Sequence, residues 1–134
     1  MFDPFLAVLE FHRALGIAIG ERPEMPEDGV VELRCSLIRE ELAELERAIA
    51  DRDLVEIADA LADLLYVTYG TAISFGIDIR PVFEEVHRSN MAKAGGPARA
   101  DGKVLKPPGW QPPSVGPLLE AMRLPTDQSH PESS

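Results

Sequence analysis

From Phe5 to Ala92 apolar residues recur at three- and four-residue intervals, and no stretch alternates apolar with polar, so the pattern predicts an all-α chain. Asp3-Pro4 reads as an N-cap followed by proline at the first helical position, opening a helix through Phe5, Leu6, Val8, Leu9, Phe11 and Leu15. The pattern fades over Gly16 to Gly20, and Glu21 to Gly29, punctuated by Pro23 and Pro26, reads as a loop. A second helix is expected from about Val30 to Arg52. The polar joint Asp51-Arg52-Asp53 leads into a third, from about Leu54 to Phe75. Gly76 stops it, and Asp78 with Pro81 opens a fourth that runs to about Ala92. Residues 95–116 are rich in Gly and Pro without any period, which predicts an extended arm. A short helix over Val115 to Met122 and a polar, disordered tail over 125–134 complete the chain. The expected organisation is a single domain, 1–124, built as a bundle of four to five helices.

The charged positions change the picture. The second helix carries a heptad stripe of Val31, Cys35, Ile38, Leu42, Leu45 and Ile49. At about 100° per residue, another face lies roughly 120° away and holds Leu33, Leu37, Glu40, Glu41, Glu44 and Ala48. In the third helix there is no Lys, Arg or His, and Glu56, Asp59 and Asp63 fall within an arc of about 60°. Every other direction is apolar, the pattern of a buried helix. Carboxylates in such a place must be paired, protonated or bound to a metal. Two such helices face to face would gather Glu40, Glu41, Glu44, Glu56, Asp59 and Asp63. Oxygen donors without sulfur or imidazole suit Mg²⁺ or Mn²⁺ rather than zinc. The competing reading is a pair of charged helix faces with arginine partners, Arg39 and Arg47 among them.

Composition narrows the partners. A formal charge of −10 argues against nucleic acid, which needs a basic footprint. A small anionic ligand is still allowed, because multivalent metals reverse the local sign. The single cysteine, Cys35, excludes an intramolecular disulfide and is expected as a buried structural thiol. No basic start precedes a hydrophobic run, and no segment has the apolar length of a membrane span, so a soluble cytoplasmic protein without a membrane partner is expected. Tyr66 and Tyr69 are expected in the helical core, His12 and His87 as surface or core histidines, and Trp110 as an anchor of the arm.

The run Arg39-Glu40-Glu41-Leu42-Ala43-Glu44 is similar to the E-E-x-x-E element of the MazG-like all-α nucleotide pyrophosphohydrolases, a superfamily that includes dimeric dUTPases and phosphoribosyl-ATP pyrophosphohydrolase. Asp59-Ala-Leu-Ala-Asp63-Leu-Leu-Tyr66 resembles that superfamily's second metal-binding helix. The segments Glu85 to Lys93 and Ala100 to Trp110 resemble the regions that follow it. Phe11-His12-Arg13-Ala14 and Glu21-Arg22-Pro23 look like the N-terminal part of MazG-like dUTP pyrophosphatases in particular. One position departs from the pattern: Ala60 stands where the E-x-x-D pair of the superfamily has its glutamate, while a literal match, Glu56-Ile-Ala-Asp59, lies one turn earlier.

The resemblance implies a Mg²⁺-dependent hydrolase, with Mn²⁺ as substitute, that splits a nucleoside triphosphate, with dUTP first choice, into monophosphate and pyrophosphate. It implies Glu41, Glu44 and Asp63 as metal ligands, Asp59 as a fourth, Glu56 as the outermost candidate, and Glu40 as the base that orients water. Lys93, Lys103 and Lys106, on an arm closing over substrate, would bind phosphates, and Asn90 would contact base or sugar or cap its helix. Exposed apolar stripes on short helices predict a homodimer or homotetramer. Two other readings stand beside this one: phosphoribosyl-ATP hydrolysis, and a non-catalytic helical dimerisation or nucleotide- and metal-binding module. A Ca²⁺-responsive helical protein is discounted, because the chain has no EF-hand-like loop.

Overall fold

The computed structural model describes residues 1–125, and their backbone forms five α-helices and no strand. The tail expected over 125–134 lies, from Thr126 on, outside the described residues. The described residues fall into two compact units, 1–78 with 122–125, and 79–121.

In the first unit, helix α1 (Pro4–Leu15) starts where the Asp3 carboxylate accepts the Leu6 N–H at 3.1 Å. It ends at Gly16, whose φ of 69° is the left-handed conformation that glycine adopts without strain. Helices α2 (Asp28–Ala50) and α3 (Leu54–Ser74) form a hairpin closed by three residues. Arg52 takes the left-handed φ of 54° that reverses the chain, and the Asp53 carboxylate caps α3 by accepting the N–H groups of Val55 and Glu56. Phe5, Val8 and Leu9 of α1, Ala72 and Ile73 of α3, and the returning Met122 and Leu124 are buried together. The loop after α1 is stitched onto the end of α3: Gly20 N–H donates to Ile73 O at 2.9 Å and Ser74 Oγ donates to Ala18 O at 2.9 Å. Gly76, with φ of 73°, passes so close to the Arg22 carbonyl that a Cβ there would collide with it.

His12 is 2% exposed and its Nδ1 lies 3.1 Å from Ala18 O. A carbonyl only accepts, so Nδ1 carries a proton. Burial holds its pKa below the ordinary 6.5, against the raising effect of the Ala18 bond, and the Arg34 cation lowers it further. The unfolded chain therefore takes up a proton at His12 before the native one does, so stability falls as pH drops below about 6.5 and levels off beneath the native pKa. Asparagine at this position keeps an N–H for Ala18 O but cannot titrate. The melting temperature of His12→Asn, followed by circular dichroism from pH 8 to 5, should lose less on acidification than that of the parent chain. Parallel curves would rule out this role for His12.

In the second unit, α4 (Ile79–Met91) is followed by the arm and the short α5 (Gly116–Glu120). The arm is tied to α4 at two points. Trp110 Nε1–H donates to Ser89 O at 2.7 Å, as an anchor should, and Ser114 N–H donates to the Glu85 carboxylate at 2.8 Å. Glu85 also accepts two bonds from Arg88, and these, with Ser114, pull its carboxyl down to about 2.

Three expectations need correction. Helix α3 is not buried all round: its buried residues are Ala60, Gly70, Ala72, Ile73 and Ser74, while Leu54 and Val55 are nearly four-fifths exposed and Leu65 more than half. Within the first unit α1 and α2 cover only part of α3, so the apolar all-round pattern outruns the surface that these two helices bury. Cys35 is exposed for the same reason, since the heptad stripe of α2 that holds it is only partly covered. Tyr66 is 40% exposed, meeting Phe11 edge-on at 5.5 Å, and with Tyr69 it lines an open apolar cavity of about 210 Å³ between α1 and α3.

Candidate active site

The α2–α3 hairpin presents the acids. Ala48 and Ala60 are buried, so the helices approach closely there, and Glu41 is half-buried at the edge of their contact. Glu40, Glu44, Glu56, Asp59 and Asp63 are exposed. Partial burial first, and then repulsion by Asp63, Glu44, Glu40 and Asp59 in that order, hold the Glu41 carboxyl above its ordinary value. Glu41 is thus the electrostatic centre of five of the six acids read from the sequence, and Glu56 does not act on it. Ala60 faces into the hairpin at 4% exposure, so the departure from the E-x-x-D pattern is filled by packing and leaves no donor there.

Proximity is not the same as a formed cage. Among the described residues no three carboxylates or imidazoles converge tightly enough to hold a metal ion. The reason is visible in the partners the acids take: Glu44 pairs with Arg47 at 3.2 Å and Glu40 accepts Ser36 Oγ–H at 3.2 Å. The Glu44–Arg47 pair is exposed on both sides, and such pairs contribute little, so it yields readily to a stronger cation. The donor set therefore fits a hard divalent ion in chemistry, all oxygen and net negative. Glu41, Asp63, Glu44 and Asp59 are the residues that would hold it.

In the second unit Lys93 and Lys106 both lie over the Trp110 ring, 5.2 and 4.9 Å from its centroid. Neither has an acid partner among the described residues, and Asp101 is taken by Arg99 at 2.6 Å and by the Lys103 N–H at 3.1 Å. Lys103 is exposed and does not join the ring pair. Asn90 is exposed, next to the end of α4, and its backbone is not left-handed, so it is not the αL C-cap considered from sequence.

Reasoning from sequence missed Arg34. It is 4% exposed within the hairpin, with Nη2 donating to Val67 O at 3.0 Å and Nε to Thr71 Oγ1 at 3.3 Å. The signal was available: Arg34 lies four residues before Ile38 and seven before Glu41, inside the arc that faces α3, and Gly70 is the lone glycine of that helix.

An all-α chain with a hairpin of acids at its centre is the architecture of the helical pyrophosphohydrolases. The family described as phosphoribosyl-ATP pyrophosphohydrolase matches residues 8–90, well over half of the chain, and the chain belongs to it. This family falls within the MazG-like superfamily and consists of hydrolases acting on phosphoric anhydride bonds. The matched region takes in every acid of the hairpin and Asn90, and it stops before the lysines of the arm. A relative among curated proteins, an uncharacterized protein of Acanthamoeba polyphaga mimivirus, is 38% identical over 84 residues, covering 56% of this chain and 32% of its own length. The chain thus spans about a third of that relative. Among the described residues no single helix is long and apolar enough to cross a membrane.

Proposed function

We propose that the chain is a Mg²⁺-dependent nucleotide pyrophosphohydrolase that cleaves a nucleoside triphosphate, dUTP by preference, to the monophosphate and pyrophosphate. The observation that carries this reading is Glu41, held at the hairpin contact in the combined field of Asp63, Glu44, Glu40 and Asp59. Acids that repel one another across the hairpin are a cost that a divalent ion would remove. Glu41, Glu44, Asp63 and Asp59 would hold Mg²⁺ or Mn²⁺, with Glu56 at the margin, and Glu40 would take the proton of the attacking water. A bound ion of this kind supplies Lewis-acid stabilisation and a more acidic water. Lys93 and Lys106, two cations on one ring without a counter-charge, are suited to the pyrophosphate that leaves, with Lys103 and Asn90 as further contacts. The cavity beside Tyr66 and Tyr69 has the size and apolar, aromatic walls to take a heterocyclic base.

A second copy of the chain would cover the apolar surface left open on the hairpin at Leu54, Val55, Leu61 and Leu65, giving the homodimer or homotetramer expected from sequence. The family description favours a second substrate, phosphoribosyl-ATP, while the resemblance of the N-terminal segment favours dUTP. One experiment separates them: pyrophosphate release from dUTP, the other common dNTPs and NTPs, and phosphoribosyl-ATP, with Mg²⁺ or Mn²⁺. Release with dUTP favoured at least tenfold in kcat/KM is expected. Preference for phosphoribosyl-ATP would move the chain to the second substrate. No release from any nucleotide, with metal bound to folded protein, would leave a binding or dimerisation module.

A further inference from the structure

Arg34 is a buried cation with no carboxylate in ion-pairing range among the described residues. Its guanidinium is satisfied by neutral groups of α3, the Val67 carbonyl and the Thr71 hydroxyl. An apolar side chain of similar volume would fill the same space without desolvating a charge. What the charge adds is direction, because a guanidinium that must meet two particular acceptors tolerates only one alignment of the two helices.

The hole it fills is specific. A Cβ added at Gly70 would collide with Arg34 Nη2 and lie 2.9 Å from His12 Nε2, so the glycine is what lets α1, α2 and α3 meet at that point. Seven residues after Arg34 on α2 is Glu41, and seven residues before Gly70 on α3 is Asp63. In a hairpin whose strands of helix run in opposite directions, those are equal steps of two turns, about 10 Å. The level that follows the Arg34–Gly70 contact is therefore the one that sets Glu41 opposite Asp63, the acid that acts on it most strongly.

The geometry points to Arg34 as a positioning residue: seated over Gly70, it fixes the register of α2 against α3 that brings Glu41 opposite Asp63. The three-residue turn holds the helices together at the Ala48 and Ala60 end, and Arg34 holds them at the other, with Glu41 and Asp63 between. The leucines and isoleucines of the seam pack in more than one register, whereas a buried polar contact specifies one. Arg34 itself is too enclosed to touch substrate, so its effect on turnover passes through the acids. This part of the inference rests on the metal-binding reading of the acidic row, and the register itself does not.

The test uses the full chain and the variants Arg34→Met, Gly70→Ala and Thr71→Val, the last nearly isosteric and removing one acceptor while leaving the charge in place. Two quantities are read on folded protein. Interhelix nuclear Overhauser contacts between the residues around Glu41 and those around Asp63 report the register, and calorimetric titration with Mn²⁺ alone reports the acids. Arg34→Met and Gly70→Ala should keep helical circular dichroism, lose or shift those contacts, and bind Mn²⁺ at least tenfold more weakly. Thr71→Val should weaken Mn²⁺ by about threefold. Variants that melt earlier but keep the parental contacts and Mn²⁺ affinity would overturn the inference, leaving Arg34 a packing residue. If Arg34→Met and Gly70→Ala fail to fold, Thr71→Val decides by the same readings. If the parent chain binds no Mn²⁺, the metal reading of the acids falls, and the Overhauser contacts still decide whether Arg34 sets the register.

Discussion

Glu41→Gln should release pyrophosphate at least about a thousandfold more slowly than the parent chain, while in chelator, with both proteins metal-free, it melts at the same temperature or higher. Glutamine keeps the shape of the side chain and can still accept one hydrogen bond, so the hairpin contact should not open. What it removes is the charge at the centre of the acidic row, the one carboxylate on which Asp63, Glu44, Glu40 and Asp59 all act. For a metal ligand, losing that charge costs both affinity for the ion and the alignment it imposes. A thousandfold loss corresponds to about 4 kcal/mol of transition-state stabilisation. The stability change has the opposite sign, because the metal-free protein bears the repulsion and the variant does not. The combination is diagnostic. A residue that only packs the hairpin loses metal-free stability and activity together, whereas a ligand held against repulsion loses activity without losing metal-free stability. Activity within threefold of the parent, measured at saturating Mg²⁺, would remove Glu41 from the proposed machinery.

The helices could be read from the sequence because their ends are local chemistry. Asp3-Pro4, Gly16 and Asp53 each set a boundary through a cap or a left-handed residue that involves only neighbours in the chain. α2 starts two residues earlier and ends two sooner than expected, at Ala50, where hairpin geometry rather than residue preference decides. The acids were readable as a group, since helical spacing alone puts Glu40, Glu41 and Glu44 on one face. Their ranking was not. Glu41 stands inside the packed arc and Glu40 and Glu44 outside it, a difference set by where α3 lies on α2. Burial was overestimated on α3 and at Cys35 because an apolar pattern says which surfaces need covering and not whether one chain has the mass to do it. Arg34 escaped for a related reason. An arginine on a helix is usually a solvent residue, and only Gly70 across the hairpin shows that a cavity exists to receive it.

Removing divalent metal should abolish turnover and destabilise the fold in one operation. The acidic row has no basic residue of α3 to neutralise it, and the chain as a whole carries a formal charge of −10. The two local contacts that temper it, Arg47 to Glu44 and Ser36 to Glu40, are an exposed ion pair and a hydroxyl bond. A divalent ion held by Glu41, Glu44, Asp63 and Asp59 would replace the Arg47 contact with direct coordination and bind only where the hairpin holds the acids together, so its binding energy would add to folding. At a concentration one hundred times the dissociation constant, that contribution is about 2.7 kcal/mol, which for a chain of this size is on the order of 10 °C in Tm. The chelated protein should therefore melt about that much lower than the Mg²⁺ form, and pyrophosphate release should fall to background and return when Mg²⁺ is restored. Screening by simple salt would also relieve some repulsion, so the comparison must be made against NaCl at matched ionic strength. Coordination predicts that Mg²⁺ stabilises several degrees more than sodium does, and that Glu41→Gln loses most of that excess. Equal stabilisation by the two salts, with pyrophosphate release surviving chelation, would mean that the row is a solvated charged face and that the chemistry lies elsewhere.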